Sequence, residues 1–243
     1  MLLVGKVRER AASRKDSGHP TCLVADDTDF PKRSMTMELV GRTFAHTLNK
    51  HIVGYKYLSL SLNGGCTFVP FDYSMHGKLG RNTNQGFSAK QRKARYKSMY
   101  LEGDAAHVRI SEYFSDKVDI LASMVSHAVS RDIKYEYLLV DSWFVCDKLI
   151  KAVLRLDGNR HVLRMAKNDK EIFIVDGKAM NAANIIKTHW RRTVKCSRYR
   201  CRYFSVMAEY KGTLVRLFFC QRNSCDRWKI ILTTDTKLRF LRA

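Results

Sequence analysis

Apolar residues in this sequence come in short runs, and runs of that length dictate strands. Cys22-Leu23-Val24-Ala25 is fenced by Pro20 and Pro31 and delivers Asp26, Asp27 and Thr28. It reads as a buried strand with acids at its carboxyl end. Two further runs, Ile52 to Leu62 and Cys66 to Tyr73, flank Asn63-Gly64-Gly65, a hairpin signal. Tyr135 to Val140 is a fourth strand, ending on Asp141, and His161 to Ala166 a fifth. Between these runs the period changes. Phe114, Val118, Leu121, Val125 and Ala128, with Met124 and Val129 beside them, predict an amphipathic helix of about 18 residues. Leu149, Ile150, Val153 and Leu154 predict another over Asp147 to Leu156. The order strand, hairpin strand, hairpin strand, helix, strand, helix, strand predicts an α/β fold. Its core is a mixed five-stranded sheet with helices packed on it, strand two antiparallel to strands one and three.

After Asp169 the character changes. Phe173 to Val175, Tyr203 to Glu209, Leu214 to Cys220 and Lys229 to Thr233 read as strands, Lys211-Gly212 as a turn, and Asn181 to Thr188 as one short helix. This is a β-rich insertion. From Gly77 to Gly103 the chain is polar and basic, a long loop passing into a basic helix. The domain reading is therefore a lead-in over 1–21, a core over 22–169, the insertion over 170–236 and a final segment over 237–243. There is no internal repeat.

Charge narrows the partner. Lys and Arg total 44 against 23 acids, a formal net charge of +21. A surplus of that size points to a polyanion, most simply nucleic acid, bound by phosphate neutralisation and counterion release. Two clusters are candidate phosphate contacts: Lys90, Arg92, Lys93, Arg95 and Lys97 on the basic helix, and Arg191, Arg192, Lys195, Arg198, Arg200 and Arg202, interleaved with Trp190, Tyr199 and Tyr203. Lys167, just after the fifth strand, is a further candidate. The bland reading of the second cluster is a solvated strand face. No stretch approaches the roughly 18 apolar residues of a membrane span. The start, MLLVGKVRERAASRKD, breaks its apolar run too early for a signal-peptide core. A cytoplasmic protein without a membrane partner follows, and its seven cysteines read as reduced thiols. Cys196-x4-Cys201 and Cys220-x4-Cys225 lie at the loose edge of zinc-ligand spacing, and small buried thiols are the preferred reading.

The candidate chemistry lies in two acids, since Asp27 and Asp141 each follow an apolar strand. Carboxylates at the ends of neighbouring strands can project into a shared cleft. Two aspartates with open positions suit Mg²⁺ or Mn²⁺, hard cations that take oxygen ligands and keep water. The alternative is that each caps a turn or a helix. His76, which follows a strand containing Asp72, is a candidate neighbour of such a site.

The segments LVADDTDF (23–30), FDYSMHGKLG (71–80), KQRKARY (90–96), YLLVDSWF (137–144) and IILTTDTK (230–237) resemble bacterial insertion-sequence transposases of the DDE type. The similarity is to the insertion-sequence-four group, in which a β insertion separates the second acid from the third. It covers nearly the whole chain from residue 22. The resemblance implies a ribonuclease H-like core, with Asp27 as the first catalytic acid and Asp141 as the second. It further implies two Mg²⁺ or Mn²⁺ ions, DNA cleavage and strand transfer at transposon ends and target DNA, a nucleoid-associated bacterial location, and a homodimer in the full-length synaptic complex. The family's third acid is a Glu in a Tyr-x2-Arg-x3-Glu pattern that these 243 residues lack. The reading is thus of a chain truncated at both ends and inactive in isolation. The alternative is a basic nucleic-acid-binding module without chemistry.

Overall fold

A computed structural model of the chain describes residues 20–34, 37, 39–64, 68–77, 101–144, 147–156, 159–167 and 171–240. These fall into two compact units, residues 24–133 and residues 20–23 with 134–240. Among the described residues no helix is long and apolar enough to cross a membrane.

Unit one is built on β3 (Lys50–Asn63). On one edge β2 (Gly41–Ala45) pairs antiparallel with its first residues and β4 (Phe68–His76) with the rest, with a register shift between Leu60 and Ser61. β1 (Cys22–Pro31, in this unit from Val24) also hydrogen-bonds to β3. Lys32 N donates to Val53 O at 2.8 Å, and Ser59 Oγ to Asp26 O at 3.4 Å. Numbers rise along one strand as they fall along the other, so this pair too is antiparallel. Alternation then assigns the faces. Leu58, Leu60 and Leu62 are buried, and α2 (Lys117–Ser130) packs on β3 with Leu121, Met124, Val125 and Ala128 inward. Val53, Tyr55 and Met75 form a second cluster with Val40 and with Tyr113 of α1 (Ala105–Phe114).

The helix expected from Phe114 onward is broken at Ser115-Asp116. Phe114 closes α1, and the Asp116 carboxylate caps α2 by accepting from Val118 N at 2.8 Å. The helix ends in a Schellman motif around Asp132 (φ 57°), with Ile133 N donating to Ala128 O and Asp132 N to Val129 O. β2 escaped the sequence reading because its buried positions are Gly41, Thr43 and Ala45, which make no apolar run.

Unit two begins with β5 (Tyr137–Val140), α3 (Asp147–Leu156) and β6 (His161–Ala166), and β5 and β6 are parallel. Its remaining elements are β7 (Ile172–Val175), β8 (Lys178–Asn181), α4 (Ala182–His189), β9 (Val194–Cys196), β10 (Cys201–Tyr210), β11 (Thr213–Gln221) and β12 (Lys229–Thr233). From β6 the sheet continues through β12, β11, β10, β7 and β8, antiparallel at every step, and β9 pairs with the start of β10. The β-rich segment therefore extends the sheet that β5 and β6 begin. The β7–β8 hairpin, which the sequence reading missed, turns at Asp176-Gly177, both at positive φ. Asp-Gly is a strong hairpin signal.

One ion pair is fully enclosed in this unit. Arg164, on β6, is 2% exposed, and its Nη2 lies 3.1 Å from Oε1 of buried Glu171. Arg164 Nη1 donates to Glu171 Oε2 at 3.2 Å and to Met165 O at 3.1 Å, and the guanidinium lies over the Tyr210 ring. Removing one partner strands a buried charge, whereas replacing both by apolar groups does not. Glu171→Ala is expected to lower the unfolding free energy in urea by about 3–5 kcal/mol. An Arg164→Met, Glu171→Leu double variant should recover most of that loss.

Candidate functional site

On β1 the buried positions are Leu23 and Ala25, and the next two of the same parity are Asp27 and Asp29, each half-buried. The strand runs on to Pro31, so Asp27 lies within it and not at its end. Carboxylates on an inward-facing row need cations, and each has one. Lys117 Nζ, at the start of α2, pairs with Asp27 Oδ2, and Lys56 Nζ on β3 with Asp29 Oδ1. Nothing local in the sequence announces Lys117, which is 90 residues from its partner.

His76, the last residue of β4, completes this cluster. It is 3% exposed, and neither ring nitrogen has a hydrogen-bond partner of normal geometry among the described residues. Burial holds its pKa down to about 4, and the Lys117 ammonium adds to the effect. The Ser115 backbone, Asp116 and Asp27 oppose it without prevailing. At neutral pH the ring is an uncharged imidazole near an aspartate–lysine pair. The neighbouring Gly77 is required by close approach, since a Cβ there would fall 1.7 Å from Tyr113 Oη, itself tied to Leu39 O at 2.7 Å. Asp72 points elsewhere, accepting from Tyr73 N at 2.9 Å and pairing with Arg109 at 3.4 Å.

Asp141 belongs to unit two, just past β5, and is exposed. One carboxylate oxygen accepts from Ser142 N at 2.5 Å and the Asp141 carbonyl from Phe144 N at 3.1 Å, closing the 3₁₀ turn Ser142–Phe144. The residue thus does what a turn-capping aspartate does, while keeping its carboxylate at the surface. Phe144 is buried, as its apolar character implies. As oxygen donors, Asp27 and Asp141 have the right chemistry for Mg²⁺ or Mn²⁺. In number the donors fall short: among the described residues no group of three His, Cys, Asp or Glu side chains is placed to hold a metal ion.

The expected basic helix, with Lys90, Arg92, Lys93, Arg95 and Lys97, lies outside the described residues. Lys167 is half-buried past β6, its backbone N donating to Glu171 Oε2 at 3.2 Å. The second cluster divides. Arg191 and Arg192 sit on the 3₁₀ turn after α4, Lys195 on β9, and Arg198 and Arg200 in the β9–β10 turn, all five exposed. Among the described residues none of the five has an acidic partner. Trp190 is 54% exposed beside them, Arg191 lies over its ring, and Arg198 lies over exposed Tyr199. Arg202 stands apart, with Nε and Nη2 both donating to Gln221 Oε1 at 2.9 and 2.6 Å and its guanidinium over Trp228.

Neither the known family models nor the curated proteins include a match to this chain. Among solved structures the chain is similar to piggyBac transposase in its synaptic complex with hairpin DNA, at 14% identity and a TM-score of 0.38. The match covers 91% of this chain, which spans 35% of that one. A superposition this loose carries no argument about mechanism, which has to come from the residues themselves.

The depressed His76 pKa makes stability depend on pH with a definite sign. The unfolded chain protonates His76 near 6.5 and the folded chain only near 4, so between these values the unfolded state binds more protons. The contribution is fully present above pH 6.5 and is lost as pH falls towards 4. The expected loss is on the order of 2 kcal/mol across that window, read from urea unfolding at stepped pH. In His76→Leu this component of the acid sensitivity should vanish.

Proposed function

We propose that this chain is the DNA-handling core of a transposase of the DDE type, with a ribonuclease H-like fold. In this reading Asp27 and Asp141 are the carboxylates that take the divalent ions, and the exposed basic turn grips the phosphate backbone. The observation that carries the DNA reading is the segment Trp190–Arg200, where five unpaired cations alternate with exposed Trp190 and Tyr199. Cations without acids in reach neutralise phosphates and release counterions, and an exposed aromatic flanked by guanidinium suits a sugar or base face. In this reading the protein works on the DNA of the nucleoid. The assignment of the two acids rests on the resemblance of LVADDTDF and YLLVDSWF to bacterial insertion-sequence transposases. Mg²⁺ or Mn²⁺, when bound, supplies activation of a water or 3′-hydroxyl and stabilises the leaving oxygen in phosphodiester transfer.

The chain's own residues have separable parts in this. Asp27 offers an oxygen donor held on a rigid strand, and Lys117 neutralises it when no ion is there. The ammonium and a divalent ion compete for the same carboxylate. His76 stays uncharged beside them, so it adds no positive charge that would repel a metal. Arg198 and Arg200 are exposed in their turn, whereas Arg202 is committed to Gln221 and contributes less. No residue here is assigned as the third acid.

Two measurements test the reading. Mn²⁺ binding, followed by water-proton relaxation, should be weak. It should fall about tenfold or more in either Asp27→Ala or Asp141→Ala, and Lys117→Met should strengthen it several-fold by removing the competitor. An affinity indifferent to both aspartates would leave only a basic nucleic-acid-binding module. For DNA, binding should be steeply salt-dependent and nearly sequence-blind. The triple variant Lys195→Glu, Arg198→Glu, Arg200→Glu should reduce the log–log salt slope by roughly 2–3, at about 0.9 per lost phosphate contact. An unchanged slope would remove this turn from the interface.

A further inference from the structure

Three cysteines that the proposed function leaves unused lie on neighbouring strands. Cys196 ends β9, Cys201 opens β10, and the antiparallel register sets them directly opposite one another. Cys220 on β11 pairs with Tyr203, two residues beyond Cys201, so it lies diagonally across the same face. All three thiols enter one apolar cluster with Phe218, Leu238 and Phe240. Between Cys196 and Cys201 runs the tetrapeptide Ser197-Arg198-Tyr199-Arg200, turned by Arg200 N donating to Ser197 O at 3.2 Å with Arg200 in the left-handed region (φ 48°).

Geometry separates the two ways these thiols could pair. Directly opposed residues of an antiparallel ladder have Cα atoms about 4.5 or 5.5 Å apart, and both values fall within the span of a disulfide. Diagonal neighbours stand about 7–8 Å apart, beyond what a disulfide bridges without moving backbone.

We propose that Cys196 and Cys201 form a reversible dithiol–disulfide pair that closes the base of the basic hairpin, with a low-molecular-weight disulfide such as oxidised glutathione as electron acceptor. Cys201 is the more exposed and attacks first. Its thiolate forms a bond to one glutathione sulfur, and the other sulfur leaves as thiolate and takes up the proton. Cys196, as thiolate, then attacks Cys201 Sγ and expels the second glutathione. Two protein thiols are oxidised, one glutathione disulfide is reduced to two thiols, and the two protons end on those thiols.

The surroundings set the tempo. Burial pushes the Cys201 thiol up, Cys196 adds to the effect, and Arg222 opposes it. Burial likewise raises Cys220, with Cys201 adding and Lys229 opposing. Thiolate is therefore scarce at neutral pH and the bridge forms slowly. Once formed, the bridge has in Cys201 a poor leaving group, which slows its opening from that side. The hairpin it would close touches the segment after β12: Tyr199 meets the Phe240 ring edge-on at 5.9 Å, and Tyr203 stacks on it at 4.0 Å. A covalent rung at the hairpin base holds that contact as well as the turn.

The test exposes the whole chain to oxidised glutathione at mildly alkaline pH, traps remaining thiols by alkylation and maps the peptides by mass. The expected product is an intramolecular Cys196–Cys201 bridge with two hydrogens lost, formed equally in Cys220→Ser. Amide exchange within β9 and β10 should slow on the order of tenfold or more, because a short covalent loop resists local opening. In Cys196→Ser, glutathione should remain trapped on Cys201. A bridge from Cys201 to Cys220 would overturn the proposal. So would a glutathione adduct that persists on Cys201 while Cys196 is intact, or full alkylation of both thiols under conditions that modify exposed Cys225.

Discussion

Arg164 and Glu171 hold the second unit in its register. Arg164 sits in β6 with Val140 of parallel β5 on one side and Leu232 of antiparallel β12 on the other. A guanidinium at that place has no water to bond, so its charge must be met from within. Glu171 meets it from the entry to β7, and Tyr210 at the end of β10 covers it with a ring face. The pair therefore ties β6, which completes the parallel part of the sheet, to the entry of β7, the first strand of the antiparallel extension in chain order. Any packing of β7 and β10 that moved Glu171 away would leave a bare buried charge, worth several kcal/mol against it. That penalty acts more as a specification of one arrangement than as net stabilisation.

The same logic governs the first unit on a smaller scale. β1 keeps its inward parity past Ala25 and so turns two carboxylates towards its neighbours, where Lys117 and Lys56 answer them. A half-buried acid with its own lysine serves folding well enough that no ligand is required to explain it. His76 adds an uncharged imidazole whose neutrality comes from burial. Asp141 is the contrasting case, exposed and engaged only by its own turn.

Much of the fold could be read along the chain. α3, β6 and β12 fall on the residues that periodicity assigned, and Lys211-Gly212 turns where it was expected to. Apolar alternation is a local property and survives folding unchanged. The elements without a counterpart in the sequence pattern are those in which local pattern is weak: β2 with its small buried residues, β9 with three residues, and α1, whose residues before Phe114 show no apolar run. The single long helix expected from Phe114 failed at Asp116 because a capping carboxylate outweighs a continuing apolar stripe.

By itself the sequence determined where the strands with clear apolar runs lie, how much positive charge the surface must carry, and that Asp27 and Asp141 follow apolar runs. Those are properties of neighbours along the chain. Tertiary structure alone decided that Lys117 sits on Asp27, that Arg202 is withdrawn from the basic cluster by Gln221, and that Cys196 faces Cys201 while Cys220 stands diagonal. Each of these depends on which strand or helix comes to lie beside which. Strand pairing and helix docking bring together residues that the chain separates, from Cys196 and Cys201 at the two ends of one turn to Lys117 and Asp27 90 positions apart, and a charge, amide or thiol gains its role from what it meets there.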